Sequence, residues 1–535
     1  MANLSKIRRE KMLEYLEKLK KLNSDDEHTR AITEIENALN EKKYGLVWEE
    51  HSEKVYEMLE HNIPIFIEDE ERKITANENE AYNFLLEGDN LHSLKLLDKT
   101  YKGKIDVIYI DPPYNTKSNK FIYDDNIVEP DDEYCHSKWL SLMNKRLIIA
   151  KKLMSKNGII FISIDDNEMA NLKILCDSVF GGNRFVGMIA WEKRTKPQNT
   201  KTAKYMLQSK IEYILVYKNS SKRVDFNLFS IAPRKYPEKD EKGEYRLDQV
   251  GEMSAMGMRA RKTMIFPIKG ILPKDGNQWK LGKDKIKLFE ERDDLLKKNE
   301  KVFLKIRPED ETYKEEPFWG FKDKSVGTAE AGKKELDLIL NTKKHDFETV
   351  KPVQLIFELL YHCLADKKNA TVLDFFAGSG TTGHAVMQLN KEDGGNRKYI
   401  LCTNNENNIC EKVTYQRLKN IQSELPHNLK YFKTDFIPKF TDKEDSVSDK
   451  IMDHIRELIE LEHALEIDGK KYIIISDEYK LDKIISDIED GGKLFVKSGI
   501  FLTRNHQRLL EEKDVSIIEI PEYYFREELK EIGEL

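Results

Sequence analysis

The spacing of apolar residues changes along the chain, and each change marks a new kind of element. Over 1–80 the chain is charged. Met12, Leu13, Tyr15, Leu16, Leu19 and Leu22 recur near a helical period, which predicts an N-terminal helical region. From 81 to 218, short apolar runs alternate with amphipathic stretches. Lys104–Ile110 reads as a buried strand ending at Asp111, and Trp139–Met154 as a helix. Gly158–Ile164 reads as a second buried strand, ending in Asp165-Asp166-Asn167; another helix and strands near Val186–Trp191 and Glu212–Tyr217 follow. Strand, helix, strand in this order predicts a parallel, doubly wound sheet. Over 219–345 the rhythm lapses into mixed Pro, Gly and charge with strand-like pieces such as Met264–Pro267, the pattern of an inserted domain. It resumes over 346–435 with Pro352–Leu364 (helix), Thr371–Phe376 (strand), Thr381–Leu389 (helix), Lys398–Cys402 (strand) and Ile409–Ile421 (helix). The remainder, 436–535, reads as a smaller α/β or α+β module with strands near Tyr472–Ser476 and Val515–Ile520. The predicted class is α/β, with one sheet written in two parts around an insertion.

Two turns at strand ends carry candidate chemistry. Asp111-Pro112-Pro113-Tyr114 follows the first buried strand, at the edge where open α/β sheets bind ligands. Two prolines fix φ and remove two backbone N–H groups, which stiffens the turn and leaves the Pro112 carbonyl as an acceptor. Asp111 and that carbonyl can accept both hydrogens of an exocyclic amine on a planar base, and Tyr114 offers a flat face for stacking. The alternative is a plain proline-rich turn. The second turn is Asp374-Phe375-Phe376-Ala377-Gly378-Ser379-Gly380-Thr381-Thr382, a glycine-rich connection from strand to helix that lets backbone approach a ligand. No Lys-Ser/Thr follows as a phosphate-binding P-loop requires, and the GxGxxG spacing is absent. An acidic residue at the end of the next strand would grip a ribose, and Glu406 is placed for that.

Charge changes the picture more than composition does. The chain carries a net −7, but Trp191–Glu290 holds 23 Lys+Arg against 12 Asp+Glu, whereas the last 95 residues hold 14 against 25. One segment is thus suited to a polyanion, and it interleaves Trp191, Tyr205, Tyr213, Tyr217, Tyr236, Tyr245 and Trp279. A solvated basic surface is the plainer reading. Charges begin at Lys6 and no apolar run of spanning length occurs, so neither a leader peptide nor a membrane span is expected. The five scattered cysteines form no CxxC pair. Neither a metal site nor a disulfide framework is expected, in keeping with a cytoplasmic protein.

Taken together, the two turns resemble those of the amino-group DNA methyltransferases, in which a (D/N/S)PPY turn and an FxGxG cofactor loop share one sheet. The order here (catalytic turn, basic insertion, cofactor loop) is the circularly permuted order of the β class. LEGDNLHSLKLL at 86–97, YIDPPYNTKSNKFIYDDN at 109–126, SIDDNE at 163–168, TVKPVQLI at 349–356 and DFFAGSGTT at 374–382 look closer still to modification subunits of type III restriction–modification systems. The likeness covers roughly 80–425 and extends more loosely to EYYF at 522–525; Phe375 stands where many relatives have Pro.

The resemblance implies S-adenosylmethionine as cofactor and adenine N6 in flipped duplex DNA as target. Asp111, Pro112, Pro113 and Tyr114 would be catalytic. Asp374, Gly378, Ser379 and Gly380 would cradle the methionine part, Phe376 would pack beside it, and Glu406 would hold the ribose. Asp89 would face the adenine, and Lys351 with Pro352 would belong to a further cofactor-side motif. A strand-end cap for Asp89 and a helix-start role for Lys351 stay open, and Asp165 and Asp166 read as structural. The 219–345 insertion would read the target sequence, with basic residues in 193–204 and 259–262 on the DNA backbone. A homodimer and a separate restriction subunit are the implied protein partners. A methyltransferase of cytosine N4, RNA or protein glutamine, and a non-catalytic DNA-specificity subunit, remain the alternatives.

Overall fold

The computed structural model describes residues 4–22, 26–40, 48–51, 53–116, 122–123, 126–127, 134–197, 204, 207–230, 235–257, 260–311, 315–345, 347, 349–440, 446–521 and 524–533. Expectations that fall on 198–203 and on Arg259 lie outside them. The chain divides into two compact units, Met1–Asp225 with Trp319–Leu535, and Phe226–Phe318. The inserted unit is therefore shorter than the expected 219–345, because residues 319–345 return to the first unit.

The first unit is built on a ten-stranded sheet. Its strands in chain order are β1 (Asn62–Glu68), β2 (Tyr82–Glu87), β3 (Ile105–Ile110), β4 (Met154–Ile164), β5 (Phe185–Glu192), β6 (Ile211–Lys218), β7 (Phe321–Lys322), β8 (Thr371–Asp374), β9 (Lys398–Thr403) and β10 (Asn428–Pro438). In space they run β1-β10-β2-β9-β8-β3-β4-β6-β5-β7. The central strands are apolar through their middle residues, as burial on both faces requires: Val107, Ile108, Ile160, Phe161, Leu373 and Leu401 are all buried. Helices Asn90–Thr100, Cys135–Leu153, Val353–Leu364 and Thr381–Asp393 connect or flank them.

Several expectations need correction. The sheet is mixed, because β6 pairs antiparallel with both β4 and β5, and β1 pairs antiparallel with β10. β5 and β6 are antiparallel neighbours, so the chain returns beside itself. The N-terminal region holds helices at Leu4–Leu22, Asp26–Asn40 and Lys54–His61, but the apolar run that follows forms β1. Met264–Pro267 is not a strand: it begins in the 3₁₀ turn Lys262–Met264. The helix expected over Ile409–Ile421 is a π turn at Cys410–Thr414 followed by α-helix Tyr415–Asn420. The C-terminal segment carries a three-stranded parallel sheet of Tyr472–Ile475, Lys493–Val496 and Ser516–Glu519. Its Phe495, Ile520, Tyr524 and Phe525 pack into the same core as the ten-stranded sheet.

The inserted unit has its own core of Val250, Phe266, Ile268, Trp279, Ile286, Leu295, Val302 and Leu304 beside a four-stranded antiparallel sheet. Its buried Arg307 is held by Asp294 at 2.8 Å and by Asp240. The unit holds 21 Lys+Arg against 18 Asp+Glu, whereas 191–225 holds 9 against 3. Much of the basic excess therefore lies in the β5–β6 region of the first unit.

One close approach sets the path of the chain into the site. Helix Ala329–Leu340 passes residues 350–352 so tightly that a Cβ on Gly332 would lie 2.3 Å from the Val350 carbonyl oxygen. Gly332→Ala is expected to cost about 1–3 kcal/mol by forcing that backbone aside. A thermal melt should show a lower Tm; an unchanged Tm would mean that the segment yields freely.

Candidate active site

β3 and β8 are parallel neighbours, with Val107 opposite Val372 and Ile108 opposite Leu373. The turns that follow them, 111–114 and 375–380, therefore leave the sheet at one edge. A cavity of about 420 Å³ lies there, and both turns contribute to its wall: Asp111 and Pro113 from one, Phe376 and Gly378 from the other. Asp89, after β2, and Glu406, after β9, complete the set.

Packing holds the first turn rigid. The Trp139 indole donates to the Pro113 carbonyl at 2.6 Å. Asn115, at φ 53°, donates its side-chain amide to the buried Glu168 carboxylate at 2.6 Å, and His136 Nδ1 lies at the same distance from that oxygen. Both carboxylate oxygens of Asp111 are engaged. Tyr114 donates its hydroxyl to Oδ1 at 2.6 Å, and the Lys351 ammonium donates to Oδ2 at 2.7 Å. Lys351 also reaches the Tyr114 hydroxyl at 2.8 Å and Glu212 Oε2 at 3.2 Å. Glu212 in turn accepts from Lys193 at 3.0 Å. Burial works against charge on Lys351, yet Asp111 and Glu212 hold its pKa above the usual lysine range. Burial likewise raises Glu212, but Lys351 and Lys193 outweigh it and leave its carboxyl below the usual range. Burial, with Asp111 beside it, pushes the Tyr114 phenol well up.

The glycine-rich loop is shaped by its backbone. Gly378 and Gly380 have φ of 47° and 77°, and a Cβ on Gly378 would sit 3.4 Å from the Phe347 ring. Asp374 is buried beneath the loop and accepts from the Phe376 N–H at 3.0 Å and the Thr382 hydroxyl at 2.5 Å. Ser379 is likewise buried, with its hydroxyl 3.2 Å from an Arg417 guanidinium nitrogen.

At the far side of the cavity, Asp89 caps the helix Asn90–Thr100 through the Leu91 N–H at 2.7 Å. The buried Arg146 guanidinium ties together Asp89 at 3.2 Å, the Asn90 side chain at 2.5 Å and Glu53 at 2.9 Å. Asn90 donates to the Phe375 carbonyl at 2.8 Å, which joins this cluster to the glycine-rich loop.

Of the residues expected to form the site, Asp111, Pro113, Phe376, Gly378, Glu406 and Asp89 line one cavity, while Asp374 and Ser379 brace the loop from within. Lys351 was expected on the cofactor side; its ammonium instead sits on Asp111 and Tyr114. Glu212 and Glu53 were not anticipated; Lys193 was expected on the DNA backbone and instead pairs with Glu212, and Arg146 was read as a helix-core residue. A charge opening the apolar run of β6 was the available signal for Glu212, and a lone Arg among helix-core residues the signal for Arg146.

A family model described as DNA methylase matches residues 105–416. The chain belongs to the DNA methylase family. This methylase is 33% identical to the type III restriction–modification enzyme StyLTI Mod subunit of Salmonella typhimurium, over 68% of its own length and 59% of that protein. It is 31% identical to the EcoPI Mod subunit of Escherichia phage P1, over 69% and 64% respectively. Against the type II methyltransferase M.KpnI of Klebsiella pneumoniae it is 35% identical, over 65% of the chain and 90% of that protein. The methylase thus spans about three fifths of the length of the Mod subunits it matches.

Burial raises the Asp374 pKa to about 7 in the fold. A carboxyl raised in this way binds more protons folded than unfolded between its ordinary pKa and 7. Its contribution to stability therefore falls as pH rises through that window. Melting temperatures taken from pH 4 to 8 should show a decline that Asp374→Asn removes; parallel profiles would place Asp374 in its ordinary range.

Proposed function

We propose that this methylase transfers a methyl group from S-adenosylmethionine to the exocyclic N6 of adenine in duplex DNA, as a modification subunit of a restriction–modification system. The observation that carries the reading is the shared cavity, whose wall comes from both the DPPY turn and the glycine-rich loop.

The residues present suit the cofactor. The cavity is of the size that holds a small organic ligand. Phe375, Phe376, Phe347 and Ile409 give it apolar walls, and Asp89, Glu406 and Glu53 give it carboxylates for hydroxyls and amines. Gly378 leaves the loop open where a side chain would press on Phe347. Among the described residues Glu53 Oε1 is buried without a hydrogen bond, with the Lys145 ammonium 3.6 Å away as its ion-pair partner. When bound, the cofactor supplies an electrophilic methyl group on a sulfonium sulfur.

The protein's own part is to grip and orient. A base in a duplex has to leave the stack to reach the cavity, at a cost of a few kcal/mol. The Asp111 carboxylate accepts one hydrogen of the target amine and the Pro112 carbonyl the other. This draws the nitrogen lone pair out of the ring and aims it across the cavity. Tyr114 presents its ring to the base, and Trp139 and Glu168 keep the turn from yielding. Positioning and hydrogen-bond polarisation do the work.

The basic residues of 191–225 are suited to the DNA backbone, and the separately folded 226–318 unit is the candidate reader of base edges. A homodimer and a restriction subunit that cleaves unmodified DNA complete the system in the cytoplasm.

DNA from a host expressing the chain should carry N6-methyladenine at one defined sequence when read by methylation-aware sequencing. N4-methylcytosine would move the target to cytosine, and unmodified DNA would overturn the reading. Asp111→Ala should lower incorporation of labelled methyl into duplex DNA by about 100-fold or more. Cofactor affinity, measured by calorimetry, should stay nearly unchanged in that variant. Glu406→Ala should do the reverse first, weakening cofactor affinity by about 10-fold or more.

A further inference from the structure

Four ionisable side chains from separate segments meet beside the DPPY turn. Asp111 follows β3, Glu212 is on β6, Lys193 follows β5, and Lys351 precedes the helix Val353–Leu364. Two carboxylates face two ammoniums, so the cluster is neutral. Lys351 lies between the carboxylates, 2.7 Å from Asp111 Oδ2 and 3.2 Å from Glu212 Oε2, and its side chain is only 10% exposed. Lys193 holds the other oxygen of Glu212.

This arrangement poses a problem for gripping a base. An amine hydrogen that reaches Asp111 Oδ2 has to share that oxygen with the Lys351 ammonium, a charged donor that competes for the same acceptor. A buried ammonium that gives up one carboxylate without gaining another is costly. Glu212 removes that cost, because its Oε2 already pairs with the Lys351 nitrogen at 3.2 Å and can take the ammonium fully. The Tyr114 hydroxyl lies 3.3 Å from the same oxygen and can follow. We propose that Glu212 is a positioning residue for methyl transfer: it receives the Lys351 ammonium when Asp111 turns to the target amine, while Lys193 keeps the Glu212 carboxylate in place. The proposal rests on the reading of Asp111 as the group that grips the base. It makes Lys351 a stand-in for the target amine before the base arrives.

The consequence is an unusual pair of variants. Glu212→Gln leaves Lys351 on Asp111 with no second carboxylate to accept it, so the substrate amine has to compete with a buried ammonium. Methyl transfer to duplex DNA should fall about 30-fold or more in kcat/KM, while cofactor affinity measured by calorimetry stays within about threefold. Removing the competitor as well, in Glu212→Gln with Lys351→Met, should recover roughly fivefold or more over the single variant. Glu212→Asp, which keeps the charge, should lie between Glu212→Gln and the unsubstituted chain. A double variant no more active than Glu212→Gln, with both retaining cofactor affinity, overturns the positioning role. So does a Glu212→Gln chain as active as the unsubstituted one. An unsubstituted chain that methylates no base in duplex DNA overturns the reading of Asp111 and this proposal together. The two failures are therefore distinguishable.

Discussion

The pairing of β3 with β8 is the constraint on which the site depends. The two strands are far apart in sequence and adjacent in the sheet, and their register sends both following turns out at one edge. Slippage of either strand by one residue would turn its inward side chains outward and misalign the turns. The buried apolar centres of β3, β4, β8 and β9 resist that, since Val107, Ile108, Ile160, Leu373 and Ile400 each have a buried place to fill. The hydrogen bond from Asn90 to the Phe375 carbonyl extends the same alignment to β2, and Arg146 fastens it to the helix Cys135–Leu153. The cavity is thus a property of the sheet's order more than of any single loop.

At the DPPY side, the dominant physical fact is charge balance in a water-poor setting. Two carboxylates and two ammoniums pair among themselves, so the cluster carries no net charge. Lys351 further leans over the rings of Tyr114 and Trp191, at 5.1 and 5.6 Å from their centroids. The aromatic surface available for stacking is therefore tied to the same ammonium that occupies Asp111.

Sequence reasoning reached the strand ends well and the cluster around them poorly. Asp111, Asp374 and Glu406 were legible because buried parallel strands read as apolar runs, and a polar residue after such a run marks the ligand edge. Lys351 was read as a cofactor-side or helix-start residue and not as a partner of Asp111, since periodicity says nothing about which loop a side chain crosses to. Glu212 was invisible, and Lys193 was assigned to the DNA backbone and not to Glu212, because their approach follows from the antiparallel return of β6 beside β4, where a parallel crossover was expected. The insertion was seen but drawn too wide: residues 321–322 add an edge strand to the main sheet, a two-residue pairing too short to leave a pattern. The π turn at 410–414 has the same apolar period as an α-helix over so short a run, and it packs Thr414 against Gly380.

The placing of β10 has a consequence for how the chain is made. The strands β3, β4, β5 and β6 have all been synthesised once residue 218 is reached, and they can pair with one another early. β2 is sandwiched between β9 and β10, and among the described residues β1 pairs only with β10, so both wait for residues 398–438. Such late partners make for slow completion and an exposed intermediate on the ribosome. During that interval two of the earliest strands to leave the ribosome, Asn62–Glu68 and Tyr82–Glu87, have unpaired backbone edges. A chain cut short before residue 428 would keep them so.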